Sequence, residues 1–332
     1  MLGLTELAWA QHAKRRTIYL EVSADARAVV GTQQKWIEML QDVGADKVVS
    51  KTAETGTPAI EETELTNSTI VRVTGFIVGN RLKLPGGSFT IRDKTGIRTL
   101  LQRIRDDGAK VALAEKKAFG LTSEQLVGLH EKFAQVVDFS TRGKQAGDVI
   151  GKLASKTGLK FTLDMTAKAA IRSQETVVEE LEGMSIGTAL ATVVRPLGVV
   201  IEPRREQGKS LEVHILSSRV SKENWPIGWP IESPPVSVAP GLFDEIPIEI
   251  RNFPLNDVLD AVEKKSGVPF FYDHNTLARE GVELSEVKVS LTNKKIGLLV
   301  AVSRLLKQSD PILNYEIRVD ENGKPFLWIT VR

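Results

Sequence analysis

Two stretches of this chain lie 109 residues apart and share a pattern that constrains the fold more than any other feature. Residues 138–164 and 247–273 align without gaps, and seven of the 27 aligned positions are identical. The identical residues of the first stretch are Arg142, Asp148, Val149, Lys156, Gly158, Phe161 and Asp164. The same order of apolar runs and turn residues follows both stretches. The sequence therefore predicts an internal duplication.

Each copy has the pattern of a small α+β unit. In the first copy the apolar spacing predicts strands at 136–141, 159–163, 176–181, 199–201 and 211–215, and helices at 146–155 and 186–195. In the second copy it predicts strands at 246–250, 270–273, 287–291, 313–319 and 326–331, and helices at 252–266 and 296–306. Two amphipathic helices over short strands are typical of the α+β class. The sequence predicts two βαββαββ repeats, at 136–216 and 246–332.

Residues 17–135 predict a third α+β module, which matches no family pattern. A strand at 18–22, a helix at 25–43 and a polar loop at 52–68 precede a hairpin around Gly79-Asn80, a two-residue turn signal. A helix follows Asp93. Another helix is predicted over 122–135, where Thr122 and Gln125 have capping-box spacing. We assign this last helix to the C-terminal end of the module.

Residues 217–245 form a linker rich in proline and tryptophan between the two copies. Five of the chain's 14 prolines fall between Pro226 and Pro240, which favours extended backbone. Trp225 and Trp229 have two interpretations. They are candidate partner-binding residues, because aromatic side chains are enriched at interface hot spots. Alternatively, they pack the linker back onto the repeats.

The motifs of the two copies resemble the secretin and TonB N-terminal short (STN) domain and its relatives in the periplasmic rings of secretins. The first copy carries Asp148-Val149-Ile150, Thr157-Gly158-Leu159, Phe161, Asp164, Ser185-Ile186-Gly187-Thr188-Ala189-Leu190 and Leu197-Gly198-Val199. The second carries Asp257-Val258-Leu259, Ser266-Gly267-Val268, Phe270-Phe271-Tyr272-Asp273 and Lys295-Ile296-Gly297. The resemblance implies an interaction module of the periplasm or cell envelope. It does not extend to a secretin or receptor barrel, so pore formation and uptake are not implied.

Residue types limit the chemistry open to this chain. Cysteine is absent, which excludes thiolate metal sites and cysteine nucleophiles, and the four histidines lie far apart in sequence. The 44 basic and 42 acidic residues leave a net charge of +2, too small to attract nucleic acid. No apolar run approaches the roughly 20 residues of a transmembrane helix. We expect no catalytic residues, no metal and no cofactor.

The first residues bear on the compartment. Residues 1–10 form a short, mostly apolar segment. It ends in Ala8-Trp9-Ala10, a small-x-small pattern typical of a signal-peptidase site. This segment is a candidate signal-peptide remnant, and an ordinary N-terminus is the alternative. With the STN resemblance, it favours a periplasmic or secreted protein.

The leading hypothesis is therefore a non-enzymatic protein that binds a protein partner or a second copy of itself. The last strands, Leu211–Leu216 and Phe326–Val331, are the expected open sheet edges for such binding. One alternative is a hydrolase with a site between domains, in a cleft with converging carboxylates or His274. Its candidate carboxylates are Asp106 and Asp107, or Glu179, Glu180 and Glu182. Another alternative is a glycan-binding protein that uses Trp36, Trp225 or Trp229.

Overall fold

The computed structural model describes residues 15–24, 31–51 and 56–332. The candidate signal-peptide remnant at residues 1–10 lies outside these ranges. The chain contains both helices and strands, and the strands form several small sheets, which confirms the α+β class. The chain divides into two compact units: one ends at residue 116 and includes 206–210, and the other comprises 117–205 and 211–332. Within the described ranges, no helix has both the length and the apolar character needed to cross a membrane.

The described residues of the first unit form a six-stranded mixed sheet and three helices. Its elements are β1 (Arg15–Ala24), α1 (Thr32–Asp42), β2 (Lys47–Lys51), β3 (Ala59–Glu64), β4 (Ser68–Val78), β5 (Arg81–Leu84), β6 (Gly87–Thr90), α2 (Lys94–Asp107) and α3 (Ala109–Leu113). β1 is parallel to both β2 and β4, and β5 and β6 continue antiparallel from β4. The hairpin predicted around Gly79 is present between β4 and β5.

Apolar periodicity accounts for most of this unit. Alternate residues of β4 are buried, and α2 buries Ile97, Leu100, Leu101 and Ile104 on one face, as their spacing predicts. The prediction of a polar loop at 52–68 is wrong over residues 59–64, which form β3 and pair antiparallel with β4. Most β3 side chains are exposed, so the strand has no apolar alternation to detect.

The second unit contains both copies and the segment between them. Its elements are α4 (Ser123–Phe133), α5 (Ala146–Thr157), β7 (Lys160–Leu163), α6 (Met165–Ile171), α7 (Ile186–Val194), β8 (Val199–Arg204), β9 (Glu212–Ser217), β10 (Trp229–Pro230), α8 (Pro235–Val238), β11 (Glu245–Pro254), α9 (Leu255–Ser266), β12 (Phe270–Tyr272), α10 (His274–Arg279), β13 (Lys288–Gly297), α11 (Leu298–Leu306), β14 (Leu313–Val319) and β15 (Pro325–Val331). The capping box at Thr122 and Gln125 is present. The helix that it begins shares a core with α7, although the sequence groups it with residues 17–135.

The two copies have the same sheet topology, and we call them the first module (136–205 with 211–216) and the second module (246–332). In the first, β9 lies between parallel β7 and antiparallel β8. In the second, β15 lies between parallel β12 and antiparallel β14. The expectation that Leu211–Leu216 and Phe326–Val331 are open edges is therefore wrong. Both strands are central because, in each module's three strands, the strand that comes first in the sequence pairs with the strand that comes last.

Each module contains one short helix that the βαββαββ prediction lacks. α6 begins after Asp164 and α10 after Asp273, and these carboxylates accept hydrogen bonds from the amides of Ala167 and Thr276. Asp164 and Asp273 thus cap the short helices that follow them. Helices of seven and six residues are too short to show a helical period in the sequence.

Each module also has a second pair of extended segments, which forms a continuous ribbon with two register shifts in the second module and is interrupted in the first. In the second module β11 and β13 pair from Glu245–Gly297 to Pro254–Lys288. In the first module only the two ends pair, at Val136–Ser185 and Gln145–Thr176. Between them the Thr141 hydroxyl donates to the Glu179 carbonyl and accepts from the Leu181 amide, each at 2.8 Å. The strands predicted at 136–141 and 176–181 are therefore wrong, because a side chain replaces the main-chain ladder between them.

The segment between the copies covers the outer edges of both three-stranded sheets. The Trp225 amide donates to the Ile201 carbonyl of β8 at 2.8 Å. β10 pairs antiparallel with β14, joining Trp229 to Val319 and Pro230 to Arg318. Residues 217–245 thus add a two-residue strand to the second module and one main-chain hydrogen bond to β8 of the first, rather than forming a solvated tether.

Candidate functional site

Trp225 lies inside the second unit. Its side chain is 3% exposed and meets Phe133 edge-on, with 4.8 Å between the ring centroids. It also stacks on Phe119 at 5.8 Å and meets Trp229 edge-on at 5.3 Å. The indole N–H donates to Glu321 Oε1 at 2.6 Å. These are the contacts of a linker that packs back onto the modules.

The other tryptophans proposed from the sequence are also enclosed to different degrees. Trp229 is partly buried, and its indole nitrogen is buried without a hydrogen-bond partner among the described residues. Trp36 is 0% exposed in the core of the first unit. Stacking of a glycan on Trp36 or Trp225 would therefore require their cores to open.

The turn between β14 and β15 caps α7, a helix of the other module. The Glu321 carboxylate accepts the Thr188 amide at 3.1 Å, the Thr188 hydroxyl at 2.8 Å and the Ser185 hydroxyl. The Asp320 carboxylate accepts the Ser185 amide at 2.8 Å. Carboxylates at a helix N-terminus satisfy amide donors and complement the helix dipole. The second module therefore supplies the N-terminal cap of the first module's second long helix.

A cleft opens where the two modules meet, and we call it the junction cleft. Its volume is about 700 Å³. The first module contributes Arg142, Gly143, Val177, Val178 and Glu179, and the second contributes Asn256, Asp260, Glu263, Phe270, Tyr272, His274, Leu277, Ala278, Val282, Glu283, Leu284 and Ser285. Helix α9, strand β12 and helix α10 supply most of the second module's side. The cleft brings titratable side chains of both modules together around an accessible space.

One wall of the junction cleft is an ion pair between modules. His274 Nε2 bonds Glu179 Oε1, and the Glu179 side chain is only 5% exposed. The hydrogen bond to Glu179 raises the pKa of His274, against burial, which lowers it. Beside this pair, Arg195 Nη2 lies 3.4 Å from Asp273 Oδ2, and Asn275 donates to the Arg195 carbonyl at 2.6 Å. The first turn of α10 thus holds the second module to the first.

The opposite wall is a polar stripe on α9. Asn256, Asp260 and Glu263 follow one another at i, i+4 and i+7, which places them on one face of the helix. Burial raises the pKa of Glu263, and the Phe270 amide donates to its carboxyl group. Burial, and then the charges of Asp260 and Glu263, raise the pKa of Tyr272. Asn256 Oδ1 is buried without a hydrogen-bond partner among the described residues.

The first module has no such stripe. The positions 109 residues earlier on α5 are Gly147, Gly151 and Ala154. A Cβ atom on Gly147 would overlap the carbonyl oxygen of Ile171, so α5 and α6 pack against each other without space for a larger side chain. In the first module Gly147 lets α6 pack onto this face, whereas in the second module polar residues line the junction cleft along it.

A second depression, the apolar groove, lies between β11 and α9. It has a volume of about 430 Å³ and is lined by Ile246, Pro247, Ile248, Glu249, Ile250, Phe253, Asp257, Val258, Ala261, Val262, Lys265 and Leu298. Phe253 is 55% exposed. At the matching place in the first module, Phe139 lies beneath Lys144 and Lys152, whose Nζ atoms are 5.4 and 5.1 Å from its ring centroid. The lysines cover the first module's groove with charge, whereas the second module's groove is open.

The acidic and histidine candidates from the sequence are only partly brought together. Glu179 and His274 meet across the junction, whereas Glu180 accepts hydrogen bonds from the Ser140 hydroxyl and the Thr141 amide. Asp106 and Asp107 belong to the first unit. The sequence reasoning missed the cleft residues of α9. Comparison of the aligned copies contained the signal, since Asp260 and Glu263 align with glycine and alanine.

Comparison of the chain with protein families, with curated proteins and with solved structures found no match. Among the described residues, no group of three or more histidine or acidic side chains is placed to hold a metal ion. Any functional proposal for this chain therefore has to be argued from its own geometry.

Proposed function

We propose that this chain is a non-enzymatic protein-interaction or scaffold protein of the cell envelope, built from two STN-like modules. The open apolar groove of the second module is the observation that carries the proposal. The recurrence of one topology in both modules supports duplication of an STN-like domain. Its partner is another protein or a second copy of this chain.

The groove has the features of a surface that apolar side chains of a partner cover. Ile246, Ile248 and Ile250 are half-buried on one side, and Phe253 stands exposed above them. Contiguous apolar surface rimmed by charged residues marks interaction sites in soluble proteins. Burial of apolar area contributes about 25 cal/mol per Å². The first module shows the closed alternative, in which lysine side chains cover the same position.

Site-specific photo-crosslinking tests the groove in the intact chain. A photoreactive phenylalanine analogue replaces Phe253 in one variant and Lys144, the matched position of the first module, in another. We expect discrete higher-mass adducts from position 253, because a bound partner must lie against that ring. A third variant carries the analogue at Met165, which is 80% exposed and outside the groove.

The three variants distinguish a specific binding site at the groove from non-specific adhesion to the protein surface. Equal adducts at 165 and 253, or none at 253, would contradict the proposal. Light scattering of the purified chain over a concentration series separates the two kinds of partner. A rise in mass that Phe253→Asp abolishes identifies self-association, and a constant monomer mass assigns the adducts to a different protein.

Fractionation of cells that produce the chain tests the compartment. A protein released with the periplasmic fraction supports export, and one retained with cytoplasmic markers contradicts it. The comparison includes a variant in which Ala8 and Ala10 are changed to arginine, because a signal-peptidase site requires small residues there. We expect that variant to retain its N-terminal segment.

One observation favours the alternative of an envelope hydrolase with an inter-domain site. The junction cleft contains carboxyl groups and His274, with raised pKa values at Glu263 and Tyr272, as such a site requires. The His274 ring nitrogen, however, bonds to Glu179 rather than to a nucleophile. Incubation of the chain with peptide and glycan libraries, followed by mass spectrometry, would reveal cleavage that His274→Gln abolishes.

A further inference from the structure

We propose that the junction cleft binds an extended, basic segment of a partner protein, which adds to the open edge of β12 and places a lysine or arginine between the acidic residues of α9. This site is separate from the apolar groove, so a negative result at one leaves the other unaffected. The inference rests on the edge geometry of β12, on the charge of the cleft and on the difference between the modules.

The main chain of β12 offers a short template for strand addition. β12 is the last strand of its sheet and pairs only with β15 in the described chain. The Leu327 amide donates to the Pro269 carbonyl and the Asp273 amide donates to the Ile329 carbonyl, each at 2.8 Å. Since alternate residues of a strand direct their main-chain groups to opposite edges, those of Phe270 and Tyr272 face away from β15.

Both outward-facing residues line the junction cleft, so the open edge borders an accessible space. Its Phe270 amide is occupied by the Glu263 carboxyl group. The Tyr272 amide and the two carbonyl groups lie along the same edge. A peptide that takes up this edge forms main-chain hydrogen bonds, the means by which strand addition supplies affinity without fixing the sequence.

The charge of the cleft selects the side chain of that peptide. Its lining contains the acidic residues Glu179, Asp260, Glu263 and Glu283, but only one permanent cation, Arg142. Glu179 is matched by His274, and the Arg142 Nε donates to the Val178 carbonyl. Asp260, Glu263 and Glu283 therefore outweigh the remaining positive charge. A cationic side chain is the complementary ligand.

The floor of the cleft suits the stem of such a side chain. Phe270, Leu277 and Val282 are buried apolar residues of the lining. Lysine and arginine pack their methylene groups on apolar surface while the charged head reaches polar groups. The first module has glycine and alanine at the positions of the acidic stripe, so we expect it not to bind the same segment.

Fluorescence anisotropy with labelled peptides tests the selectivity. The probe is an extended peptide, Ser-Thr-Val-Lys-Val-Thr-Ser. The controls replace its lysine by glutamate, or methylate the main-chain nitrogens of its two valines. We expect the glutamate peptide to bind at least about tenfold more weakly, which corresponds to ~1.4 kcal/mol. The N-methylated peptide should bind as weakly, because it cannot complete the strand pairing. Equal affinity for all three would overturn the proposal.

Nuclear magnetic resonance of the chain labelled with ¹⁵N-tyrosine locates the peptide. The chain has three tyrosines, Tyr19, Tyr272 and Tyr315, so the spectrum has three amide signals. Tyrosine-to-phenylalanine variants assign them. We expect the lysine peptide to shift the Tyr272 signal downfield and slow its exchange with solvent. An unchanged Tyr272 signal at saturating peptide would overturn the proposal even if anisotropy reports binding.

Charge-neutral variants test the acidic stripe. Asp260→Asn with Glu263→Gln should weaken the lysine peptide about tenfold or more and leave the binding of the glutamate peptide unchanged or stronger. The matched control is Glu232→Gln with Glu286→Gln, two exposed positions outside the cleft that remove the same charge. The tyrosine spectrum verifies that each variant is folded. Equal loss in both double variants would indicate general charge attraction, and cleavage of the peptide in mass spectra would indicate an enzyme; either result overturns the proposal.

Discussion

Helices α5 and α9 occupy the same place in two modules of one topology, and they differ along a single stripe. On α5 that stripe is Gly147, Gly151 and Ala154, and the neighbouring helix packs onto it at Gly147. On α9 it is Asn256, Asp260 and Glu263, and a cleft of about 700 Å³ lies beside it. The two modules share the residues that form the turns and the core contacts. Two modules of one topology thus differ in the side chains on one helix face, and the junction cleft lies beside the polar one.

The same contrast holds for the second long helix of each module. All nine residues of α7 are buried, whereas α11 buries five and leaves Val300 exposed. α7 is enclosed because α4, the linker tryptophan Trp225 and the turn at Glu321 cover the face that α11 leaves toward solvent. The second long helix of the first module is thus enclosed, whereas that of the second module is partly exposed.

The largest effect is expected where the second module caps the first. Glu321→Ala should lower the free energy of unfolding by about 3 kcal/mol, because it leaves the Trp225 and Thr188 N–H donors without their buried acceptor. Chemical denaturation measures the change. Glu232→Ala, at an exposed position of the linker, should change it by less than ~0.5 kcal/mol. Similar losses in both variants would contradict the capping role.

The next effect separates two glycines of α5. Gly147→Ala should cost about 1–3 kcal/mol, because the added methyl group overlaps the Ile171 carbonyl oxygen. Gly151→Ala should stabilise the chain by up to ~1 kcal/mol, since no atom lies within 4 Å of the added Cβ and alanine favours helix. Thermal unfolding of both variants measures the difference. A stabilising Gly147→Ala would show that α5 and α6 are not in close contact.

A matched pair of linker variants gives a smaller effect. Trp225→Phe removes the hydrogen bond to the Glu321 carboxylate and should cost about 1.5 kcal/mol. Trp229→Phe removes a buried N–H without a described partner, so its cost should be smaller. Both changes remove the same atoms, and denaturant midpoints compare them directly. Equal costs would show that packing, not the hydrogen bond, dominates at Trp225.

The smallest effect is a pH dependence at the junction. The pKa of folded His274 lies above its ordinary value of 6.5, so its ion pair with Glu179 stabilises the fold fully below pH 6.5. That contribution declines as the pH rises through the raised pKa. A double-mutant cycle of His274→Gln and Glu179→Gln should give a coupling of about 1 kcal/mol at pH 6 and less at pH 9. A coupling that grows with pH would contradict the assignment.

The sequence predicted what depends on local pattern. Most helices and strands of both copies, the capping box at Thr122 and the glycine ends at Gly158 and Gly267 follow from spacing alone. It failed where long-range contacts decide the result. The Thr141 side chain takes the place of main-chain pairing in the first module, and β3 forms because it pairs with β4. The last strand of each module is central rather than at an edge, because the first strand of its sheet pairs with it in parallel.

The candidate site was harder to predict than the fold. His274 and Glu179 are 95 residues apart and meet only because the modules dock. In the sequence, Asp260 and Glu263 look like ordinary polar residues of a helix. They stand out only when they are compared with their counterparts in the other copy. The aligned repeat therefore held information on function that neither copy holds alone.

The linker, which pairs with β14 and hydrogen-bonds to β8, has a consequence for how this chain can change over evolution. Ordinary connections between domains accept insertions and deletions with little loss. Here a single added residue in the β10 region would reverse which side chains face the sheet, moving Trp229 away from its neighbours. Substitutions on the open surfaces are tolerated far more easily than a change in the length of residues 217–245. New binding specificities can therefore arise on the second module, while the spacing between the two copies stays fixed.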